Sequence, residues 1–466
     1  MRTRFLLSIL FCSGWIGLTA FQTQSRPKPR SLRPNILFIL VDDLGFGDLS
    51  CYGANDVKTP HIDSLIRGGM RFTSFYANSP VCSPSRAALL SGRYPERMGV
   101  PGVIRDDTTN SWGYLAPGRL LPDYLAEQGY HTALVGKWHL GLEPENHPNR
   151  RGFREFYGFL GDMMDNYVEK KRNGQNFMRH NREVINPPGH ATDVFTNAAI
   201  TYLNGQVRQR RRANDPPFFL YLSYNAPHDP LQPPAADLDR VTRTRPGIDP
   251  TRAKLVALIE HLDANVGRVL AALRANGQDR NTLVVFTSDN GGWGPGKANV
   301  GGYRGVKGTM YEGGLRIAAG VRWPAGIRPR TESDRPLLLM DWMPTLLQLA
   351  GAPVPTGIQG QSFAGLITGK DTLGDRQRPL YFVRREGHDT YKGLQIHAVR
   401  QGDFKLLQPT PFAPYELYNL RADPYEKTNL ADTDRPMREQ LTRQLMEHIR
   451  RGGSVPWQRP AGVARQ

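Results

Sequence analysis

Asn35-Ile36-Leu37-Phe38-Ile39-Leu40-Val41-Asp42-Asp43 is the stretch on which the fold turns. An apolar run without polar alternation, closed by two aspartates, is the pattern of a strand buried on both faces. His131 to Val135, Phe218 to Tyr224 and Leu283 to Thr287 repeat it. Between the last two lies a helical pattern from Thr251 to Asn276, with Leu255, Leu258, Ile259, Leu262, Val266 and Val269 on one stripe and Gly277 closing it. Leu121 to Gly129 reads as a shorter helix, also closed by glycine. Strands alternating with helices predict an α/β fold, a largely parallel sheet sandwiched by helices.

Past residue 365 the texture changes. Leu380–Arg384, Gln395–Arg400, Phe404–Leu407 and Glu416–Leu420 read as short strands joined by turns such as Gln401-Gly402-Asp403, and a basic helix follows over Arg435 to Arg450. This predicts a smaller antiparallel sheet plus helix. The chain is therefore expected to divide into a main domain at 34–365 and an α+β subdomain at 366–466, an arrangement that fits 466 residues.

With 39% hydrophobic and 22% charged residues, the composition is that of a globular chain and not of a disordered one. Arg2 and Arg4 precede an apolar run from Phe5 to Ala20, too short for a membrane span and typical of a secretory signal peptide, assigned to residues 1–21. Phe11 before Cys12 argues against a lipoprotein signal. Residues 22–33 read as a flexible polar leader. The protein is thus expected to be exported, periplasmic or extracellular, without stable membrane insertion.

The formal charge is +17, and +15 once Arg2 and Arg4 are removed with the signal. A basic exported protein attracts polyanions, which outside the cytoplasm are glycans and envelope surfaces more often than nucleic acid, so no nucleic-acid partner is expected. Arg208-Gln209-Arg210-Arg211-Arg212 serves that steering equally well as an ordinary solvated face. Only Cys51 and Cys82 remain after the signal, too few for a disulfide framework.

Each strong strand ends in reactive residues. Val41 leads to Asp42-Asp43, Val135 to Gly136-Lys137-Trp138-His139, Tyr224 to Pro227-His228, and Thr287 to Asp289-Asn290. In open α/β sheets the chemistry collects at these carboxyl ends. Asp42, Asp43, Asp289 and Asn290 together offer an all-oxygen donor set without sulfur or imidazole. Such a set suits a hard cation, Ca²⁺ ahead of Mg²⁺, and not zinc. Any one of these pairs alone would be an ordinary turn or helix cap.

Cys82-Ser83-Pro84-Ser85-Arg86-Ala87-Ala88-Leu89-Leu90-Ser91-Gly92-Arg93 fits none of three ordinary roles. A buried structural cysteine is not expected among Ser, Pro and Arg. A phosphatase-type thiolate loop places its arginine farther from the cysteine than Arg86 is from Cys82. A phosphate-binding loop needs glycines before Lys-Ser/Thr, whereas Gly136-Lys137 is followed by Trp138. The segment matches, without substitution, the sulfatase signature Cys-x-Pro-Ser-Arg followed by Leu-Ser/Thr-Gly. Further matching segments are Val41-Asp42-Asp43-Leu44-Gly45, Gly136-Lys137-Trp138-His139-Leu140-Gly141, Ala226-Pro227-His228, Ser288-Asp289-Asn290-Gly291-Gly292 and Gly305-Val306-Lys307 with Glu312-Gly313-Gly314. On these residues the chain resembles, from about Pro34 to Leu430, the type I sulfatases of the alkaline-phosphatase superfamily. It looks closest to bacterial arylsulfatases and N-acetylgalactosamine-6-sulfatase-like glycan sulfatases.

The resemblance implies a catalytic domain over 34–365 with an alkaline-phosphatase-like mixed, mostly parallel sheet. It implies an enzyme that hydrolyses sulfate esters of a sulfated glycan. Cys82 would be oxidised to formylglycine by a maturation enzyme, and its hydrate would be the nucleophile. Asp42, Asp43, Asp289 and Asn290, joined by the modified Cys82, would bind the cation, and Asp289 would also be the base for the attacking hydroxyl. Arg86 would hold the hydrate, Lys137 and Lys307 would face the sulfate, His139 would take a proton in the release step, and His228 would protonate the leaving alcohol.

The chain departs from the family pattern in two places. Arylsulfatase A-like members carry a Ser-His pair where this chain has Phe156-Tyr157-Gly158-Phe159-Leu160-Gly161-Asp162, a difference at the substrate subsite that looks more like bacterial glycan sulfatases. Leu315-Arg316-Ile317-Ala318 stands where relatives usually have Arg-Val-Pro, and is expected to affect only packing. Arg384, Arg385, His388 and Lys392 are expected to be solvated surface, or else to reach over the pocket toward a polyanionic glycan. Two other functions fit the same residues less well. One is phosphonate or phosphate diester hydrolysis, and the other is glycan binding without catalysis.

Overall fold

A computed structural model describes residues 33–105, 115–209, 216–370, 377–386, 391 and 393–452. The signal peptide and all of the leader but Arg33 lie outside these described residues, as do Arg210 to Arg212, His388 and Lys392. Ten strands form one mixed sheet, in the order Thr331–Ser333, Met70–Phe72, Ala319–Arg322, Thr282–Ser288, Asn35–Val41, Phe218–Ser223, His131–Lys137, Glu155–Phe159, Met178–His180 and Glu183–Val184. The four expected from their apolar runs occupy its centre. We label them β1 (Asn35–Val41), β2 (His131–Lys137), β3 (Phe218–Ser223) and β4 (Thr282–Ser288). They lie parallel in the order β4-β1-β3-β2.

The unbroken apolar run of β1 reflects two cores, one on each face. Ile36, Phe38 and Leu40 enter a core covered by the helices Cys82–Ser91, Leu121–Glu127 and Trp342–Leu349. Leu37, Ile39 and Val41 enter a second one, covered by Pro60–Arg67, Ala191–Gln209 and Pro250–Ala275. The Phe38 ring meets Trp342 edge-on at 5.9 Å and Tyr221 at 5.9 Å. Burying each such side chain contributes ~1.5–3 kcal/mol. With both faces dry, a polar residue has only the strand ends to occupy, which is why the reactive groups collect there.

Register makes those ends coincide. Leu40 stands beside both Thr287 and Ser223, and Ser223 beside Gly136. Gly136 has φ +107°, and a Cβ there would sit 1.9 Å from the Ser223 carbonyl oxygen, so only glycine lets β2 and β3 stay this close. Asp42, Lys137 and Asp289 therefore emerge at one edge of the sheet.

The second sheet is antiparallel, Leu380–Arg385, Gln395–Gln401, Phe404–Leu407 and Glu416–Asn419 in chain order. The Arg435–Gly452 helix sets Leu441 and Leu445 against Val399, Leu406 and Leu417. Leu380, Phe382, Ala398 and Leu407 pack instead with Tyr76, Leu338 and Met340. Among the described residues, no helix is long and apolar enough to cross a membrane.

Glu312 ties the two sheets together. It is fully buried, and it accepts from Lys405 Nζ at 2.9 Å, Arg316 Nε at 2.9 Å and Tyr76 Oη at 2.7 Å. Burial opposes its ionisation, but Lys405, Arg316 and Arg400 outweigh burial and hold the carboxyl well below its usual range. Arg316 also lies over the Tyr303 and Tyr76 rings, and the residues that differ after it, Ile317 and Ala318, are buried one in each core. Lys405, 0% exposed, bridges Glu312 and Glu426 at 2.9 Å each. Lys405→Met leaves two acids buried against each other and is expected to cost ~3–5 kcal/mol in urea unfolding. Its deficit should shrink on acidification, as protonation relieves the unpaired carboxylates.

Candidate active site

Cys82 is the first residue of the Cys82–Ser91 helix, and every residue of that helix is buried. The helix is buried in spite of its polar residues because each polar neighbour of Cys82 finds a partner inside. Ser85 Oγ donates to Ser79 O at 2.9 Å, and Ser83 Oγ accepts from Ile104 N at 3.0 Å. Arg86 is 0% exposed, and its fork reaches three strand ends. Nε and Nη2 donate to Asp289 Oδ2 at 3.0 and 2.7 Å, and Nη1 donates to Ser223 Oγ at 2.6 Å. Nη2 also lies 3.6 Å from Asp42 Oδ1. Cys51 and Cys82 are both free thiols.

Two lysines complete the charge balance. Lys137 Nζ donates to Asp42 Oδ2 at 2.5 Å, and Lys307 Nζ donates to Asp43 Oδ2 at 2.6 Å. Asn290 Nδ2 donates to Asp43 Oδ1 at 2.7 Å. Three carboxylates thus meet three cations in a buried cluster. Burial raises Asp42, but Lys137, His228, Arg86 and Lys307 outweigh it and hold that carboxyl well below the usual range. Burial and then Asp42 push Asp289 up to about 7, against the pull of Arg86.

The histidines have defined roles in hydrogen bonding. His139 Nε2 donates to Ile104 O at 2.7 Å, and its Nδ1 is buried with no hydrogen-bond partner. Burial, with Lys137 and Arg86, holds His139 well below the usual imidazole value, so it is a neutral acceptor. His228 Nδ1 donates to Asp229 O at 2.7 Å, which leaves Nε2 to accept from Lys307 Nζ at 3.1 Å, 3.5 Å from Asp43 Oδ2. Asp43 (φ 65°) and His139 (φ 58°) both sit in the left-handed region, a strained conformation that costs ~1–2 kcal/mol per residue.

Two buried acceptors, Asp42 Oδ1 and Asn290 Oδ1, have no hydrogen-bond partner, and with Asp43 and Asp289 they complete an oxygen donor set. Those residues fit a hard cation. Asp42, Asp43, Cys82 and His228 each bring one potential ligand atom, all within 4.8 Å of one another. Cys82, His139, His228 and Lys307 line a cavity of about 370 Å³. Asp42, Arg86, Lys137 and Asp289 lie beneath it, fully buried. Burial pushes the Cys82 thiol up to about 12, so it is no thiolate at neutral pH.

All ten candidate residues therefore meet at one place. The cavity wall adds others that no motif announced: Arg105, Trp293, Tyr391 and Asp229. Asp162, noted above only as a departure from a family pattern, lines it too, as does Arg384. Arg385, one residue on, bonds Gln395 at 3.1 Å and is not part of the wall. A strand-end rule would have found Asp162, which follows Glu155–Phe159. Arg105 has no such signal.

The profile of the family described as Sulfatase matches residues 34–352, and that of N-sulphoglucosamine sulphohydrolase, C-terminal, matches residues 304–452. The chain is 32% identical over 427 residues to N-acetylgalactosamine-6-sulfatase of Sus scrofa, spanning 86% of this chain and 75% of that protein. It is 34% identical over 454 residues to arylsulfatase A of Homo sapiens, spanning 85% and 83%. The solved structure of Ps i-CgsB in complex with k-i-k-neocarrahexaose superposes with a TM-score of 0.81 at 31% identity, covering 91% of this chain and 94% of that one.

Arg86→Leu removes the one guanidinium shared by Asp289 and Asp42. The expected loss is ~3–5 kcal/mol of unfolding free energy, because two carboxylates are left buried without it. Asp289, already pushed up to about 7 with Arg86 in place, then rises further, so the variant's deficit against the wild type should grow as pH rises above about 7. Denaturant melts across that range read both effects.

Proposed function

This chain belongs to the sulfatase family and is a hydrolase of sulfuric esters, and on that premise we propose that it removes sulfate from a sulfated carbohydrate with a nucleophile made from Cys82. The observation that carries the reading is the convergence of Cys82, His139, His228 and Lys307 on one cavity, above the buried acids Asp42, Asp43 and Asp289 and the buried bases Arg86 and Lys137. The sulfated-carbohydrate substrate is supported by a relative named N-acetylgalactosamine-6-sulfatase and by a similar structure that holds the oligosaccharide k-i-k-neocarrahexaose.

As it stands, Cys82 is a protonated thiol and a weak nucleophile, which supports its conversion to formylglycine by a maturation enzyme. That modification would supply a hydrate with two hydroxyls on one carbon, one to attack sulfur and one to free the sulfate afterwards. Asp42, Asp43, Asp289 and Asn290 would hold the cation, Ca²⁺ ahead of Mg²⁺, with the modified residue 82 as a further ligand. When bound, the cation supplies Lewis-acid polarisation of a sulfate oxygen and of the attacking hydroxyl.

The other residues act directly on protons and charge. Asp289 is the base for the attacking hydroxyl. Arg86 keeps Asp289 and Asp42 in place and orients residue 82 from the same helix. Lys307, at the cavity, offsets charge on the sulfate oxygens, and Lys137 adds to that field from below. His139 presents an unpartnered Nδ1 lone pair, suited to take the second hydroxyl's proton. His228 keeps its Nδ1 bond to Asp229 O and, in its protonated form, delivers the Nε2 proton to the leaving oxygen. Sugar alkoxides are poor leaving groups, so this transfer matters most for a carbohydrate ester. Residues 1–21 support an exported enzyme.

Mass spectrometry should find an aldehyde at position 82 of the purified protein, and Cys82→Ala should abolish sulfate release. Full release by Cys82→Ala would defeat the mechanism. His228→Ala is expected to slow turnover of a sugar sulfate ~10²–10⁴-fold, and much less that of an aryl sulfate with a good leaving group. Equal losses on both would remove His228 from the acid role. Chelation should remove activity, with Ca²⁺ restoring it better than Mg²⁺. Comparing matched aryl sulfate and phosphate esters separates this reading from phosphoester hydrolysis.

A further inference from the structure

Arg105 and Arg384 come from distant parts of the chain yet line the same cavity wall. Arg384 lies on the outermost strand of the smaller sheet, Leu380–Arg385. Both guanidiniums bond one carboxylate, Arg105 Nη2 to Glu386 Oε2 and Arg384 Nε to Glu386 Oε1, at 3.1 Å each. They also lie against one aromatic ring, with centres 4.7 and 5.3 Å from that of Tyr391. Arg384 Nη1 donates to Gly308 O at 2.7 Å, which places this group directly beside Lys307.

Among the described residues, one buried acid therefore holds two guanidiniums side by side, with Asp162 the other carboxylate acting on Arg105. The Glu386 side chain is only 2% exposed, whereas Arg105 and Arg384 are 21% and 13% exposed. The acid is the bracket, and the bases face the cavity. The other charged groups of the wall have partners of their own: Asp162 lies 3.3 Å from Arg172 Nε, and Asp229 lies 3.1 Å from His228 Nδ1. Arginine's planar fork suits a sulfate or carboxylate, bound through paired N–H donors. The aromatic ring beneath holds the guanidiniums in place without consuming those donors.

We propose that Arg105 and Arg384 form a second anion subsite, which binds an additional sulfate or carboxylate group of the glycan while a different sulfate is cleaved at Cys82. This deepens the carbohydrate reading above and rests on it. The enzyme is thereby specific for a polyanionic sugar chain and not for an isolated sulfated sugar.

The test uses the full-length matured enzyme and three disaccharides sharing one target sulfate. The first is otherwise neutral, the second carries a further sulfate, and the third a carboxylate. The expected result is a kcat/KM at least about tenfold higher for one dianionic substrate than for the neutral one, carried by KM and diminished by salt. The favoured member tells sulfate from carboxylate. Arg105→Gln and Arg384→Gln should each reduce that preference about tenfold, roughly the loss of one charge-assisted hydrogen bond. Arg105→Lys, which keeps the charge without the fork, should restore part of it. A wild-type preference near one, or a preference that persists in Arg105→Gln, overturns the subsite. If Arg384→Gln fails to fold, the wild-type preference and the Arg105 variants decide. Failure of the wild-type enzyme to release sulfate from any of the three overturns the carbohydrate reading instead, and the subsite with it.

Discussion

A single buried guanidinium is the constraint on which the rest depends. Arg86 projects from the Cys82–Ser91 helix and bonds Asp289 at the end of β4 and Ser223 at the end of β3, and it lies close to Asp42 at the end of β1. Three strand ends and one helix are registered by one side chain. The cost of burying carboxylates there is high, and it is met only because the cations are equally buried and equally placed. That balance fixes the helix against the sheet edge, and so fixes the position of Cys82 four residues earlier.

The same logic explains why the sheet is dry on both faces. A strand such as β1, split residue by residue between two cores, has no solvent side on which polar groups could be scattered. Its charge is pushed to the carboxyl end, where neighbouring strands in register deliver theirs. Asp43 and His139 occupy left-handed backbone at this edge, a strain that the packed strands beneath can hold.

The smaller sheet contributes more than bulk. Through Lys405 it neutralises Glu312, a few residues beyond Lys307, and through Arg384 it reaches Gly308. Lys307 is therefore set from both sides. It is held by Asp43 on the catalytic edge, and its loop is held by the appended sheet. The floor of the cavity belongs to the main sheet, while part of its wall belongs to the smaller one.

The chemistry of the site was legible in the chain because it depends on local spacing and strand periodicity. Cys82 and Arg86 share a helix, Asp42 and Asp289 end apolar runs, and Lys137 and His139 follow β2. Those relations survive folding unchanged, since a parallel sheet with both faces covered aligns its strand ends. Burial of the Cys82 helix is not legible in its own polar residues, because the partners that permit it come from the ends of β1, β3 and β4. Arg105, Glu386 and Tyr391 carry no periodic signal and are joined only by the way the smaller sheet packs on the main one. By itself, the sequence determined the sheet, the reactive edge and the family of reaction. Only the tertiary structure decided which of many arginines face the cavity, because the pairing of long side chains across distant segments depends on through-space distance and not on order along the chain.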